Sequence, residues 1–275
     1  MDCLAECKDK NHFRQYPDPV VYQYNSRGFR DAEWPDDLKN SIWCVGDSFT
    51  VGLGTPFEYI WPQVLQKKTR KRTINLSMDG ASNNWMARRA ADVLTIVQPS
   101  TMIFMWSYVE RREDDFNLVL QQKWESFYLQ VGDPSWPSVN RIEDFAQLPY
   151  EIRQELRTQH VCGPYLAISE DLSSIAPQHN IDELLRMQLP DATDSDHERN
   201  FTECLKILSD ANVCTKLIHT FIPDFATVNQ HQYLAQLNTN AVIPPFPILD
   251  WARDHHHFDR KTSDWLVTQL MPLLD

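Results

Sequence analysis

A serine hydroxyl becomes a nucleophile only when a neighbouring imidazole can take its proton. The imidazole in turn needs a carboxylate to fix its tautomer and steady its charge. This chain carries such a set near opposite ends. Ser48 stands in Trp43-Cys44-Val45-Gly46-Asp47-Ser48-Phe49-Thr50-Val51-Gly52, and Asp254 and His257 stand in Asp254-His255-His256-His257. An aspartate three residues before a histidine in a loop can curl back onto Nδ1 and leave Nε2 for the serine. His257 is therefore the candidate general base and Asp254 its partner. The competing reading is local, since serine, aspartate and glycine are also what any strand-to-helix turn prefers, so Ser48 taken alone reads as a helix cap.

Which reading holds depends on the elements that position these residues. Apolar runs at 41–45, 73–78 (TINLSM), 101–106 (TMIFMW) and 215–222 (TKLIHTFI) predict strands, and Ile248-Leu249-Asp250 predicts a brief fifth. Helices are expected over 56–68, with Pro62 near the first turn, and after strand two, where Met86, Ala90, Val93 and Val97 form a stripe. A capping-box pattern, Ser195-Asp196-His197-Glu198, opens a helix carrying Phe201, Leu205 and Leu208. A short helix is expected around 230–237, and the chain closes with one over 259–274, with Leu266, Leu270 and Leu273 inward.

Helix and strand alternate, which implies a parallel sheet with helical crossovers. The alternation stops between 110 and 194, a stretch with several aromatic residues and no convincing strand, read as a mostly helical insertion after strand three. Residues 1–40 read as an irregular lead-in, with Gly28 in a turn of positive φ. A single domain, 1–275, is expected.

In that arrangement the polar residues gather at carboxyl ends of strands. Ser48 follows strand one, Gly80 and Asn83 follow strand two, Ser107 and Tyr108 follow strand three, and Asp254 and His257 follow strand five. Right-handed crossovers put those ends on one edge of the sheet, where open α/β folds place their sites. Capping explains any one of these placements, but explains the set less well. The backbone N–H groups of Ser48 and Gly80 would then hold an oxyanion, with a side-chain amide as third donor. Asp47, Ser107 and Tyr108 are candidates to touch substrate.

Composition narrows the partners. Lys and Arg number 26 against 38 Asp and Glu, a net charge of −12, which disfavours nucleic acid. The one basic run, Lys67-Lys68-Thr69-Arg70-Lys71-Arg72, falls where a helix ends and reads as solvent-facing cations complementing its carbonyls. No apolar run approaches the roughly 20 residues of a membrane-spanning helix, and the polar start is not signal-like, so a cytoplasmic protein without a membrane partner is expected. Cys3, Cys7, Cys44, Cys162, Cys204 and Cys214 are scattered and read as free thiols. His255, His256 and His257 with Asp254 or Asp259 make a poor ion cage, because consecutive histidines point in different directions. His160, His179, His197, His219 and His231 read as surface or packing residues.

Gly46-Asp47-Ser48-Phe49-Thr50 resembles the first block of the SGNH, or GDSL-type, hydrolases, with Thr50 where leucine often stands. Gly80 is similar to that family's second block, and Asp254-His255-His256-His257 to its Asp-x-x-His block. Asn25-Ser26-Arg27-Gly28-Phe29-Arg30 is similar to a lead-in found ahead of the nucleophile in some members. The third block, Gly-x-Asn-Asp, is missing: its place reads Met105-Trp106-Ser107-Tyr108-Val109-Glu110. Asn83, Asn84, Ser107 or Tyr108 would have to replace its asparagine.

The resemblance implies a flavodoxin-like three-layer α/β/α domain and a serine esterase that needs no cofactor. Its expected substrates are small acyl esters, for instance O-acetyl groups on carbohydrate. Two other uses of the same site stay open: a non-catalytic carbohydrate-binding or interaction module, and an acyltransferase using the same serine.

Overall fold

The computed structural model describes residues 20–109, 194–223, 230–237, 239–254 and 256–274. The expected insertion lies outside these residues except for Asp194, as do His160, His179 and His255. In chain order the described elements are β1 (Ile42–Gly46), α1 (Ser48–Val51), a 3₁₀ turn (Phe57–Tyr59), α2 (Trp61–Thr69), β2 (Thr73–Ser77), α3 (Asn83–Ile96), β3 (Thr101–Trp106), α4 (Asp194–Ala211), β4 (Lys216–Phe221), α5 (Gln230–Gln236) and α6 (Arg260–Leu274).

The four described strands form one parallel sheet in the order β2-β1-β3-β4. Every residue of β1 and β2 is buried, and β3 is buried from Met102 on, as continuous apolar runs covered on both faces require. The step from β1 to β2 runs one way across the sheet and the step from β2 to β3 the other. Right-handed crossovers therefore put α2 and α3 on opposite faces. α6 packs on α2 and α4 packs on α3, which completes a three-layer α/β/α domain. The strand order reverses between β1 and β3, and in open α/β sheets that crevice is the site.

The predicted fifth strand is not formed. Pro244, Pro245 and Pro247 lack the N–H groups a ladder needs, and among the described residues the sheet is extended beyond β4 only by a bridge between His219 and Val242. Asp250 serves α6 instead. Its carboxylate accepts from the backbone N–H of Lys261 (2.8 Å) and Thr262 (2.9 Å), orphan donors of the first helical turn. A bridge between Trp251 and Phe258 closes the loop that carries Asp254 and His257.

The lead-in folds across the edge of β2. Gly28 takes its turn at φ 84°. The Asn75 N–H, exposed to no further strand, donates to Asp31 Oδ2 (3.1 Å), and the Asn75 side chain donates to the Arg30 carbonyl (3.1 Å). The basic run is only partly solvent-facing: Arg72 turns back and pairs with buried Asp31 at 2.9 Å. Lys67 and Lys68 do sit in the last turn of α2 as expected. α4 begins at Asp194, one residue before the capping pattern.

Two buried titratable groups shape the acid response. Burial holds His219 down at about 4, while its Nδ1 accepts from Trp106 Nε1 (3.0 Å) and its ring stacks on Phe104. Burial also pushes Asp31 up to about 6 in spite of Arg72. His219 stays neutral when folded, so its contribution is complete above 6.5 and is lost as pH falls toward about 4. Asp31 acts oppositely, losing stability as pH rises through about 6. The two effects overlap, so the test is a difference. His219→Gln should be less stable than wild type at neutral pH, with the gap narrowing steadily on acidification. Urea midpoints measured across that range check it, and a constant gap would contradict it.

Candidate active site

The turn after β1 is dictated by close approach. A Cβ on Gly46 would lie 2.0 Å from Thr50 Oγ1 and 3.3 Å from the Met105 carbonyl, so only glycine fits. Asp47, not Ser48, caps α1: Asp47 Oδ1 accepts from the Phe49 N–H (3.0 Å). Ser48 occupies the first helical position and its hydroxyl is left for other use. It meets His257 Nε2 at 2.8 Å across 209 residues of sequence.

His257 is held from its other side. Its Nδ1 lies 2.7 Å from Asp254 Oδ2, while Asp254 Oδ1 accepts from the backbone N–H groups of His256 (2.9 Å) and His257 (3.0 Å). Burial pushes the Asp254 carboxyl up, but these hydrogen bonds and the imidazole's charge outweigh it and hold the group below its ordinary value. An ionised carboxylate on Nδ1 fixes the tautomer with Nε2 free to accept. Phe49 packs edge-on against the imidazole, with ring centroids 4.7 Å apart. Ser48 and His257 are both buried.

The oxyanion candidates follow the ends of β1 and β2. Among the described residues, neither the Ser48 nor the Gly80 backbone N–H donates to an acceptor, and Gly80 has φ 67°. Asn83, in the first turn of α3, is buried and faces the end of β3. Its amide oxygen accepts from Ser107 N–H (2.9 Å) and its nitrogen donates to the Ser107 carbonyl (3.2 Å). That nitrogen carries a second proton. Asn84 points elsewhere and donates to Asn200 of α4 (2.7 Å).

Asp47 and Ser107, expected to touch substrate, are wholly buried and joined to each other: Ser107 Oγ donates to Asp47 Oδ2 at 2.5 Å across the β1–β3 switch. Tyr108 is half-buried and packs on the core. Among the described residues no group of three or more His, Cys, Asp or Glu could hold a metal ion, and no helix is long and apolar enough to cross a membrane.

Sequence reasoning missed the Gly52–Thr55 loop. A Cβ on Gly54 would lie 2.8 Å from Asp254 Cγ and 2.9 Å from the Asp254 nitrogen, and Gly54 has φ +74°. Its carbonyl accepts from Arg253 N–H (3.0 Å). The signal available was the recurrence of glycine at 52 and 54 straight after the turn.

No family model matches the chain, and no curated protein matches it. Among solved structures it is similar to TesA (TM-score 0.45, 12% identity, covering 86% of this chain and 98% of that one). It is similar also to the psychrotrophic esterase EstA from Pseudoalteromonas sp. (TM-score 0.40, 14% identity, 85% and 94%). A third likeness is to a carbohydrate esterase described as displaying divergent catalytic and non-catalytic binding functions (TM-score 0.43, 13% identity, 88% and 66%).

Gly54→Ala should destabilise the fold by more than about 1 kcal/mol, because alanine is strained at positive φ and its methyl has no room. Denaturant titration checks this; an unchanged midpoint would contradict the contact with Asp254.

Proposed function

We propose that this chain is a serine esterase of the SGNH (GDSL) type, hydrolysing small acyl esters through an acyl-Ser48 intermediate. The observation that carries the reading is the continuous Ser48 Oγ, His257, Asp254 hydrogen-bonded line, with contacts of 2.8 and 2.7 Å. His257 Nε2 takes the proton as Ser48 Oγ attacks the ester carbonyl, and Asp254 stabilises the imidazolium. The tetrahedral oxyanion rests on the N–H groups of Ser48 and Gly80, and on the second proton of Asn83 Nδ2. Its collapse breaks the ester C–O bond, and the imidazolium gives its proton to the leaving alkoxide. Water, deprotonated by His257, then attacks the acyl-serine, and the proton returns to Ser48 as the acid departs. No cofactor enters these steps.

In this reading Asn83 replaces the family's third-block asparagine from the start of α3 instead of the end of β3. Asp47 and Ser107 brace the nucleophile turn and do not contact substrate. The resemblance implies small acyl groups, with O-acetyl esters of carbohydrate as the first class to assay.

A fluorophosphonate probe should modify wild type at Ser48 and leave Ser48→Ala and His257→Ala unmodified, as read by peptide mass mapping. Intact protein that stays unlabelled and does not hydrolyse p-nitrophenyl acetate would overturn the esterase reading in favour of a binding module. Asn83→Ala should lower kcat by about a hundredfold or more, the loss typical of one oxyanion donor. Asn84→Ala should stay near wild type. Equal activity in the two variants would remove Asn83 from the oxyanion site.

A further inference from the structure

The two halves of the proposed triad come from opposite ends of the chain, and something must set the distance between them. Arg30 of the lead-in is buried, with its guanidinium wedged beneath the nucleophile turn. Nη1 donates to the Val51 carbonyl (3.0 Å) and to that of Gly52, and Nη2 donates to the Thr55 carbonyl (2.7 Å). One planar fork thus ties together the end of α1 and the far side of the Gly52–Thr55 loop. The face of Tyr22 covers the cation at 4.5 Å, and the Tyr22 hydroxyl accepts from Gly54 N–H (2.7 Å).

That loop is what the Asp254–His257 segment rests on. Gly54 O accepts from Arg253 N–H (3.0 Å), and Thr55 Oγ1 donates to the Phe258 carbonyl (3.1 Å). The two attachments fall one residue before Asp254 and one after His257. Between them Gly54 lies directly against the Asp254 carboxyl group, without room for a methyl.

We infer that Arg30 is a positioning residue for the proposed reaction. Its guanidinium fixes the shape of the Gly52–Thr55 loop, and through it the separation of His257 from Ser48. This rests on the triad proposed above. An arginine suits this place because three described acceptors are carbonyls in fixed directions, which its rigid fork meets and the single ammonium of lysine does not. A displacement of about 1 Å at the reacting atoms costs on the order of a hundredfold in rate, so a loop tether can control catalysis without touching substrate.

The test compares wild type with Arg30→Ala and Arg30→Lys, both checked for folding by circular dichroism. Two readouts are taken: the rate of fluorophosphonate modification of Ser48, and the low-field proton resonance of the His257 Nδ1 hydrogen bond to Asp254, assigned by its absence in His257→Ala. Folded Arg30→Ala should label about a hundredfold more slowly and lose or broaden the resonance. Millimolar guanidinium should restore both, whereas methylammonium should not. Arg30→Lys, which keeps the charge, should fold and fall between the two, with kcat for p-nitrophenyl acetate reduced more than KM is changed.

A folded Arg30→Ala with the wild-type rate and resonance would overturn the inference. So would a defect confined to melting temperature, or one that guanidinium does not relieve. If Arg30→Ala does not fold, Arg30→Lys decides: wild-type resonance and rate in that variant reject the role of the fork. If wild type is not labelled at all, the esterase reading fails, and the response of the resonance to Arg30→Ala still decides whether Arg30 sets the Asp254–His257 geometry.

Discussion

The backbone of Gly54 is where the two ends of the chain meet, and the geometry around Ser48 depends on that contact. Gly54 receives the Arg253 N–H and leaves no space for a side chain between itself and Asp254. A loop closed this tightly has one available depth. Because His257 is bonded both to Asp254 and to Ser48, the position of the carboxylate fixes the imidazole, and the imidazole reaches the hydroxyl at 2.8 Å. Glycine at this point is thus a requirement of the site as well as of the local backbone.

The sheet supplies the other half of the constraint. With strand order β2-β1-β3-β4, the crevice opens between the ends of β1 and β3. The Ser107–Asp47 hydrogen bond closes the floor of that crevice, and Asn83 locks Ser107 from the start of α3. Three segments far apart in sequence are thereby joined around one serine, each through a buried polar pair. Buried pairs of this kind are costly when broken, because the remaining partner is left without a hydrogen bond. That cost favours one arrangement of the turn over its alternatives.

Much of this was legible in residue types. The strands are continuous apolar runs, and β3 occupies the predicted 101–106 without change. The stripe of Met86, Ala90 and Val93 does face the core. What could not be read was which hydrogen bonds the polar residues make. Asp47 looked like a substrate contact and is the cap of α1. The choice between cap and free hydroxyl at Ser48 turned on which of two neighbouring residues caps α1, and both are common caps. Ile248-Leu249-Asp250 has the composition of a strand, yet Asp250 finds the first turn of α6 a better partner for its carboxylate than a ladder flanked by prolines. Arg30 stood out only as part of the Asn25–Arg30 lead-in, without a role, because backbone carbonyls accept its protons and carbonyls carry no mark in the sequence. Asn75 carried a plainer signal: a polar residue inside the apolar run of β2 calls for side-chain partners, supplied here by the Arg30 and Thr50 carbonyls.

In the proposed reaction Ser48 becomes acylated because His257 and Asp254 activate it. The most direct measurement is acid-quenched mass spectrometry of the protein mixed briefly with p-nitrophenyl acetate, followed by peptide mapping. An acetyl group on the peptide containing Ser48, present in wild type and absent in His257→Ala, is the predicted result. Wild-type protein that releases p-nitrophenol without ever carrying acetyl on Ser48, or that acquires it equally without His257, would contradict the account.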